Sequence, residues 1–113
     1  MVARNKLQTA PPFPVEQALK RLGANLRTAR VRRNLTIEEA ATRIGTGPRA
    51  VMDAEKGKAS TGIAVYSALL WLYDLLQPLE EIADPSKDKE GLSLEAAKRP
   101  TRARKSEGLD NDF

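Results

Sequence analysis

Residues 35–58 read LTIEEAATRIGTGPRAVMDAEKGK, and this stretch decides the fold. Thr36 and Glu39 have the spacing of a capping box, in which a threonine hydroxyl takes the N3 amide and the N3 glutamate reaches back to the cap. Ile37, Ala40, Ala41 and Ile44 then recur at i, i+3, i+4 and i+7, an apolar stripe that predicts a short amphipathic helix closed by Gly45. Gly47-Pro48 restarts the chain, because proline is tolerated at a first helical position where its missing N–H has no partner to lose. Val51 and Ala54 face inward from this next helix, which ends near Gly57. Two short helices joined by a tight glycine turn make a helix-turn-helix unit.

Upstream, residues 1–14 carry Pro11, Pro12 and Pro14 without periodicity and read as an arm. They hold no signal-peptide hydrophobic region, so a cytoplasmic protein is expected. From Val15 to about Arg33, Leu19, Leu22, Leu26 and Ala29 fall on one helical stripe among Lys20, Arg27, Arg30, Arg32 and Arg33. Gly23 interrupts this helix with a weak helix former. Downstream, residues 63–76, IAVYSALLWLYDLL, are apolar on more than one face. The run is shorter than the roughly 20 residues a bilayer demands, so no membrane partner is expected. The excess apolar surface is read as a homodimer interface, with Leu69, Trp71, Leu72 and Leu76 as its residues, or as a central core helix wrapped by the others. Pro78 opens a short last helix over 79–83. Residues 84–113 are charged and poor in large apolar side chains, a composition expected to be disordered or ordered by a partner. The expected division is therefore an arm over 1–14, a folded domain over 15–83 and a tail over 84–113.

The charge is uneven. The 113 residues carry a net +4, but residues 1–34 hold eight Lys/Arg against Glu16 alone, while residues 63–83 hold Asp74, Glu80 and Glu81 and no cation. A basic half joined to an acidic apolar half predicts a polyanion-facing side and a separate protein-facing side, against the alternative of an ordinary solvated basic helix. KRPTRARK at 98–105 is a second basic run, suited to a phosphate backbone, to an acidic protein surface or simply to keeping a tail solvated.

Catalysis finds little support. With no cysteine and no histidine, thiolate nucleophiles, zinc-finger ligand sets and Ser-His-Asp triads are excluded. Glu38/Glu39 and Glu80/Glu81 are adjacent pairs that diverge on a helix, better read as charges facing the helix dipole. Gly45-Thr46-Gly47 lacks the Gly-Lys-Ser/Thr of a phosphate loop. Aromatics are only 4%, too few for a base-stacking RNA sheet. Neither an enzyme, a small-molecule substrate, a metal nor a cofactor is expected.

Double-stranded DNA fits better. The second helix of a helix-turn-helix enters the major groove and its N-terminal residues reach base edges. Here those are Pro48, Arg49, Met52 and Asp53, led by Thr46 and Gly47, with Thr36 at the start of the preceding helix. Arg49 can grip guanine with two hydrogen bonds and Met52 can touch a thymine methyl; Asp53 either accepts from cytosine or orients a neighbour. Lys56, Lys58, Ser60 and Thr61 can donate to phosphates, which positions a protein without reading sequence.

The threonine cap, Ala41, Gly45, Val51 and Glu55-x-Gly57, with GANLRTARVRRN upstream, resemble the lambda-repressor-like (XRE-type) helix-turn-helix family over residues 22–76. The resemblance implies an all-α, five-helix domain and a structural ion pair between Arg30 and Glu55. Four positions depart from the family pattern: Ile37 stands where a phosphate-binding glutamine is usual, Gly47 where serine or threonine caps, and Pro48 and Ala50 replace polar residues. The extension, with Asp84, Pro85, Asp88 and Gly91 and then Arg99, Pro100 and Arg102, is similar to that of antitoxins encoded beside HipA-like kinase toxins. That similarity implies a homodimeric autorepressor that binds a serine/threonine kinase toxin, with Leu92, Arg99, Arg102 and Phe113 as candidate toxin contacts. The alternatives are a stand-alone regulator and a protein-interaction module whose DNA face has decayed.

Overall fold

A computed structural model describes residues 6–106, with side chains through Lys98. Every regular element among them is helical: α1 (Lys6–Thr9), α2 (Phe13–Arg32), α3 (Ile37–Ile44), α4 (Pro48–Glu55), α5 (Ile63–Leu72), α6 (Gln77–Glu80), a 3-10 turn (Pro85–Lys87) and α7 (Lys89–Ser106). The five expected helices are α2 to α6, and α1 and α7 are additional. No helix among the described residues is long and apolar enough to cross a membrane. The chain divides into two compact units between Leu79 and Glu80, four residues before the expected boundary.

The first unit buries Leu26 and Ala29 of α2, Ala40 and Ala41 of α3, Val51 and Ala54 of α4, and Tyr66 and Leu69 of α5 with Tyr73 just beyond it. Each fully buried Leu or Val contributes about 1.5–3 kcal/mol relative to exposure. The small residues Ala40, Ala41 and Ala54, all at most 1% exposed, let α3 and α4 approach closely enough to act as one body.

Helix ends follow one device. Asn34, Gly45, Gly57 and Asp74 adopt left-handed φ of 55°, 83°, 70° and 61°. The next amide in each case reaches back five residues: Leu35 to Arg30, Thr46 to Ala41, Lys58 to Asp53 and Leu75 to Leu70. This 6→1 bond satisfies a carbonyl that the helix end orphans. Asp74 is why α5 stops at Leu72 although the apolar run continues to Leu76. At the other end, α2 starts at Phe13 rather than Val15, because Pro14 falls in the first turn, where no N–H is required. The expected arm is thus partly helix: α1 and the first residues of α2 lie within 1–14. The last short helix includes Gln77 and Pro78 and ends at Glu80, not at residue 83.

The second unit carries regular structure, the 3-10 turn and α7, within the region expected to be disordered or ordered by a partner. The Asp84 carboxylate accepts from the Ser86 amide and closes the 3-10 turn; the Asp88 carboxylate accepts from the Gly91 amide and caps α7, both at 2.9 Å. A Cβ on Gly91 would collide with that same carboxylate, so the Asp-Pro-x-x-Asp-x-x-Gly spacing is a pair of caps. Leu92 and Leu94 are 48% and 58% exposed on α7.

Candidate nucleic-acid interface

The site grows from the α3–α4 turn. Thr36 caps α3 as the spacing predicts: its hydroxyl accepts from the Glu39 amide at 3.0 Å, and the Glu39 carboxylate accepts from the Thr36 amide at 2.8 Å. Such a cap contributes about 1 kcal/mol. Gly47 is the α4 cap by backbone alone, with no side-chain bond, and Pro48 takes the first turn. Thr46 is half-buried, and Gly47, Pro48 and Arg49 are exposed. The amides and side chains that lead into α4 therefore face solvent at one end of the unit.

Behind them lies an ion pair. Arg30 Nε donates to Glu55 Oε2 at 2.6 Å and its Nη2 to Glu55 Oε1 at 3.0 Å, while Nη1 donates to the Leu35 carbonyl at 2.9 Å. The two side chains are 11% and 7% exposed. Hydrogen bonding to Glu55 raises the Arg30 pKa above its ordinary value, the larger effect against burial. This bidentate fork ties the end of α2 to the C-terminal end of α4 and to the loop before α3, so α4 is held at its C-terminal end.

Two tyrosines and one arginine complete the frame and escaped the sequence reading. The Tyr66 hydroxyl donates to the Lys58 carbonyl at 2.9 Å, and burial raises its pKa, so it stays a neutral donor. Arg33 donates to the Ala29 carbonyl at 2.9 Å and to the Tyr73 carbonyl at 3.0 Å, and sits over the Tyr73 ring at 5.6 Å. Arg33 therefore joins α2 to the carbonyl end of α5. The signal available for Tyr66 and Tyr73 was their helical spacing with Leu69, hidden in a run that is apolar all round.

On the outer face, Arg49 is 80% exposed and Met52 38% exposed. Asp53 turns inward, 23% exposed, with Oδ1 standing 3.6 Å from Arg49 Nε and 3.5 Å from Lys58 Nζ. Lys56, Lys58 and Ser60 are exposed beyond α4. Lys56 and Lys58 also line, with Lys20, a groove of about 210 Å³ beside Gln8 and Thr9. The predicted readers and phosphate donors thus come together along α4 and the loop after it. Ile37, in the place of a phosphate-binding glutamine, packs against the core.

The other candidate residues divide. Leu69 is 0% exposed in the core of this chain, which overturns its place in a dimer interface: a side chain already surrounded by its own fold has no surface to give a second copy. Trp71 is 60% exposed, and Leu72 and Leu76 are half-buried. Leu92 stands on α7 in the second unit. Arg99 and Arg102 lie on the backbone of α7 with side chains outside the described part, and Phe113 lies outside the described residues. Among the described residues, no group of three or more acidic side chains is placed to hold a metal ion.

The model of a family described as a helix-turn-helix domain matches residues 21–82, more than half of the chain. Searches of curated proteins and of solved structures find no match. The matched residues are those that build α3, the glycine turn, α4 and the Arg30–Glu55 pair that holds them. By that match and that geometry, the chain belongs to the helix-turn-helix domain family of DNA-binding regulators.

Proposed function

We propose that this protein is a sequence-specific antitoxin and autorepressor that binds a palindromic operator as a homodimer and pairs with a HipA-like serine/threonine kinase. The DNA part of this reading is carried by one observation: the N-terminal end of α4 presents Arg49 and Met52 to solvent while Arg30 and Glu55 fix the helix from behind. Arg49 reads guanine, Met52 contacts a thymine methyl, and Lys56, Lys58 and Ser60 donate to phosphates. Two copies place half-sites about one helical turn, roughly 34–36 Å, apart. Exposed Trp71 supports the dimer, and exposed Leu92 and Leu94 on α7 support a protein contact outside the DNA-binding unit. The protein works where operator DNA is, in the cytoplasm.

The test is co-purification of the adjacent gene product with this protein, with mass read by light scattering. Two copies with a kinase-sized partner support the antitoxin. A bare dimer that still shifts its own promoter supports a stand-alone regulator instead. Ile37, spent on the core, and Pro48 and Ala50, which offer no polar side chain, favour a third reading, a protein-interaction module with weakened DNA binding. Absence of any duplex binding at low salt would establish it.

A further inference from the structure

We propose that Asp53 is a charge latch that sets specificity: it holds Arg49 on the free protein and on random DNA, and releases it when Arg49 finds its base, with Lys58 left to neutralise the carboxylate. This rests on the DNA-binding reading above. Asp53 sits on α4 one turn after Arg49 and five residues before Lys58, so a single carboxylate lies between the residue that reads bases and one that holds the backbone. Its Oδ1 is screened from solvent and accepts no hydrogen bond, although two cations stand at 3.5 and 3.6 Å. The carboxylate is therefore held by charge alone. Its backbone carbonyl accepts from the Lys58 amide at 3.1 Å, and Tyr66 holds the Lys58 carbonyl, so the Lys58 backbone cannot drift away.

This geometry makes Asp53 a poor base reader. An acceptor aimed at cytosine has to project into the groove, and Oδ1 is screened from solvent between its own neighbours. It is instead a positioning residue with an electrostatic consequence. While both cations face Asp53, their attraction for phosphate is partly cancelled, which weakens sequence-independent binding. A guanine that offers Arg49 two acceptors replaces the 3.6 Å contact with two true hydrogen bonds. Lys58 then faces the carboxylate alone and neutralises it, so Asp53 keeps a partner when Arg49 leaves. The correct site gains the Arg49 contact without leaving Asp53 unpaired; a wrong site leaves Arg49 on the carboxylate.

The test titrates the full-length protein against two duplexes, each a little over two helical turns long, across a series of salt concentrations. One has random sequence, and the other is selected by the wild type from a randomised pool. Asp53→Asn is expected to bind random duplex about three- to tenfold tighter, with a log–log salt slope steeper by about one to two, and to lose discrimination by the same factor. Asp53→Glu restores both. Lys58→Met is expected to weaken only the selected duplex, which keeps the proposal testable should Asp53→Asn unfold. Unchanged random-duplex affinity and slope in Asp53→Asn, or equal losses on both duplexes in Lys58→Met, would overturn the latch while leaving the DNA reading intact. A wild type that binds neither duplex overturns the DNA reading and the latch with it.

Discussion

Gly23 of α2 lies directly against Gly57, the residue that closes α4: a Cβ built on Gly23 would stand 2.8 Å from the Gly57 nitrogen and 2.6 Å from the Ala54 and Glu55 carbonyl oxygens. A Cβ on Gly57 would in turn strike the Leu19 backbone. Both obstructions are main chain, which cannot swing aside as a side-chain end can. The two glycines therefore set how closely α2 and α4 approach.

Gly23→Ala is expected to destabilise the protein by about 3 kcal/mol, the upper part of the range for overpacking, despite alanine's better helix propensity. Urea unfolding followed by circular dichroism measures it. A variant as stable as wild type would show that the two helices can separate without loss.

Glu55→Ala leaves the Arg30 guanidinium buried without its partner, which costs about 3–5 kcal/mol. Loss of the cooperative transition, or a large fall in its midpoint, is the expected result. A change within about 0.5 kcal/mol, the range of ordinary surface substitutions, would make the pair dispensable.

Arg49→Ala is expected to leave stability unchanged, since the side chain is exposed. On the selected duplex it is expected to lose about 1–3 kcal/mol of discrimination. Fluorescence anisotropy on matched and scrambled duplexes separates that loss from a uniform fall in affinity.

Lys56 stands exposed just past α4, where a phosphate contact is sequence-independent. Lys56→Ala is expected to weaken both duplexes alike and to flatten the log–log salt slope by about 0.9. A selective loss on one duplex would instead make Lys56 a reader of sequence.

Trp71→Asp and Leu69→Asp separate surface from core. Trp71→Asp is expected to keep the helical spectrum and halve the mass measured by light scattering. Leu69→Asp is expected to unfold the chain, because a carboxylate there would be buried without a partner. A folded Trp71→Asp dimer would place the interface elsewhere.

The sequence by itself determined the local features. Thr36 and Glu39 wrote their capping box in their spacing, and Gly45 its turn. The stripe of Ile37, Ala40, Ala41 and Ile44 fixed which face of α3 turns inward. These depend on residues within a few positions of one another, where spacing and propensity decide. Arg30 and Glu55 were legible only through resemblance, being 25 residues apart. What the tertiary structure alone decided were the choices among chemically similar neighbours. Leu69 lies inside and Trp71 outside on a helix apolar all round, because the two-residue offset that puts them on opposite faces matters only once α3 and α4 are packed against one of those faces. Arg33 clasps Tyr73 although the sequence shows it as one more surface cation. Gly23, a weak point in an isolated helix, is the residue that lets α2 meet α4, and only the approach of the second backbone makes its missing side chain necessary.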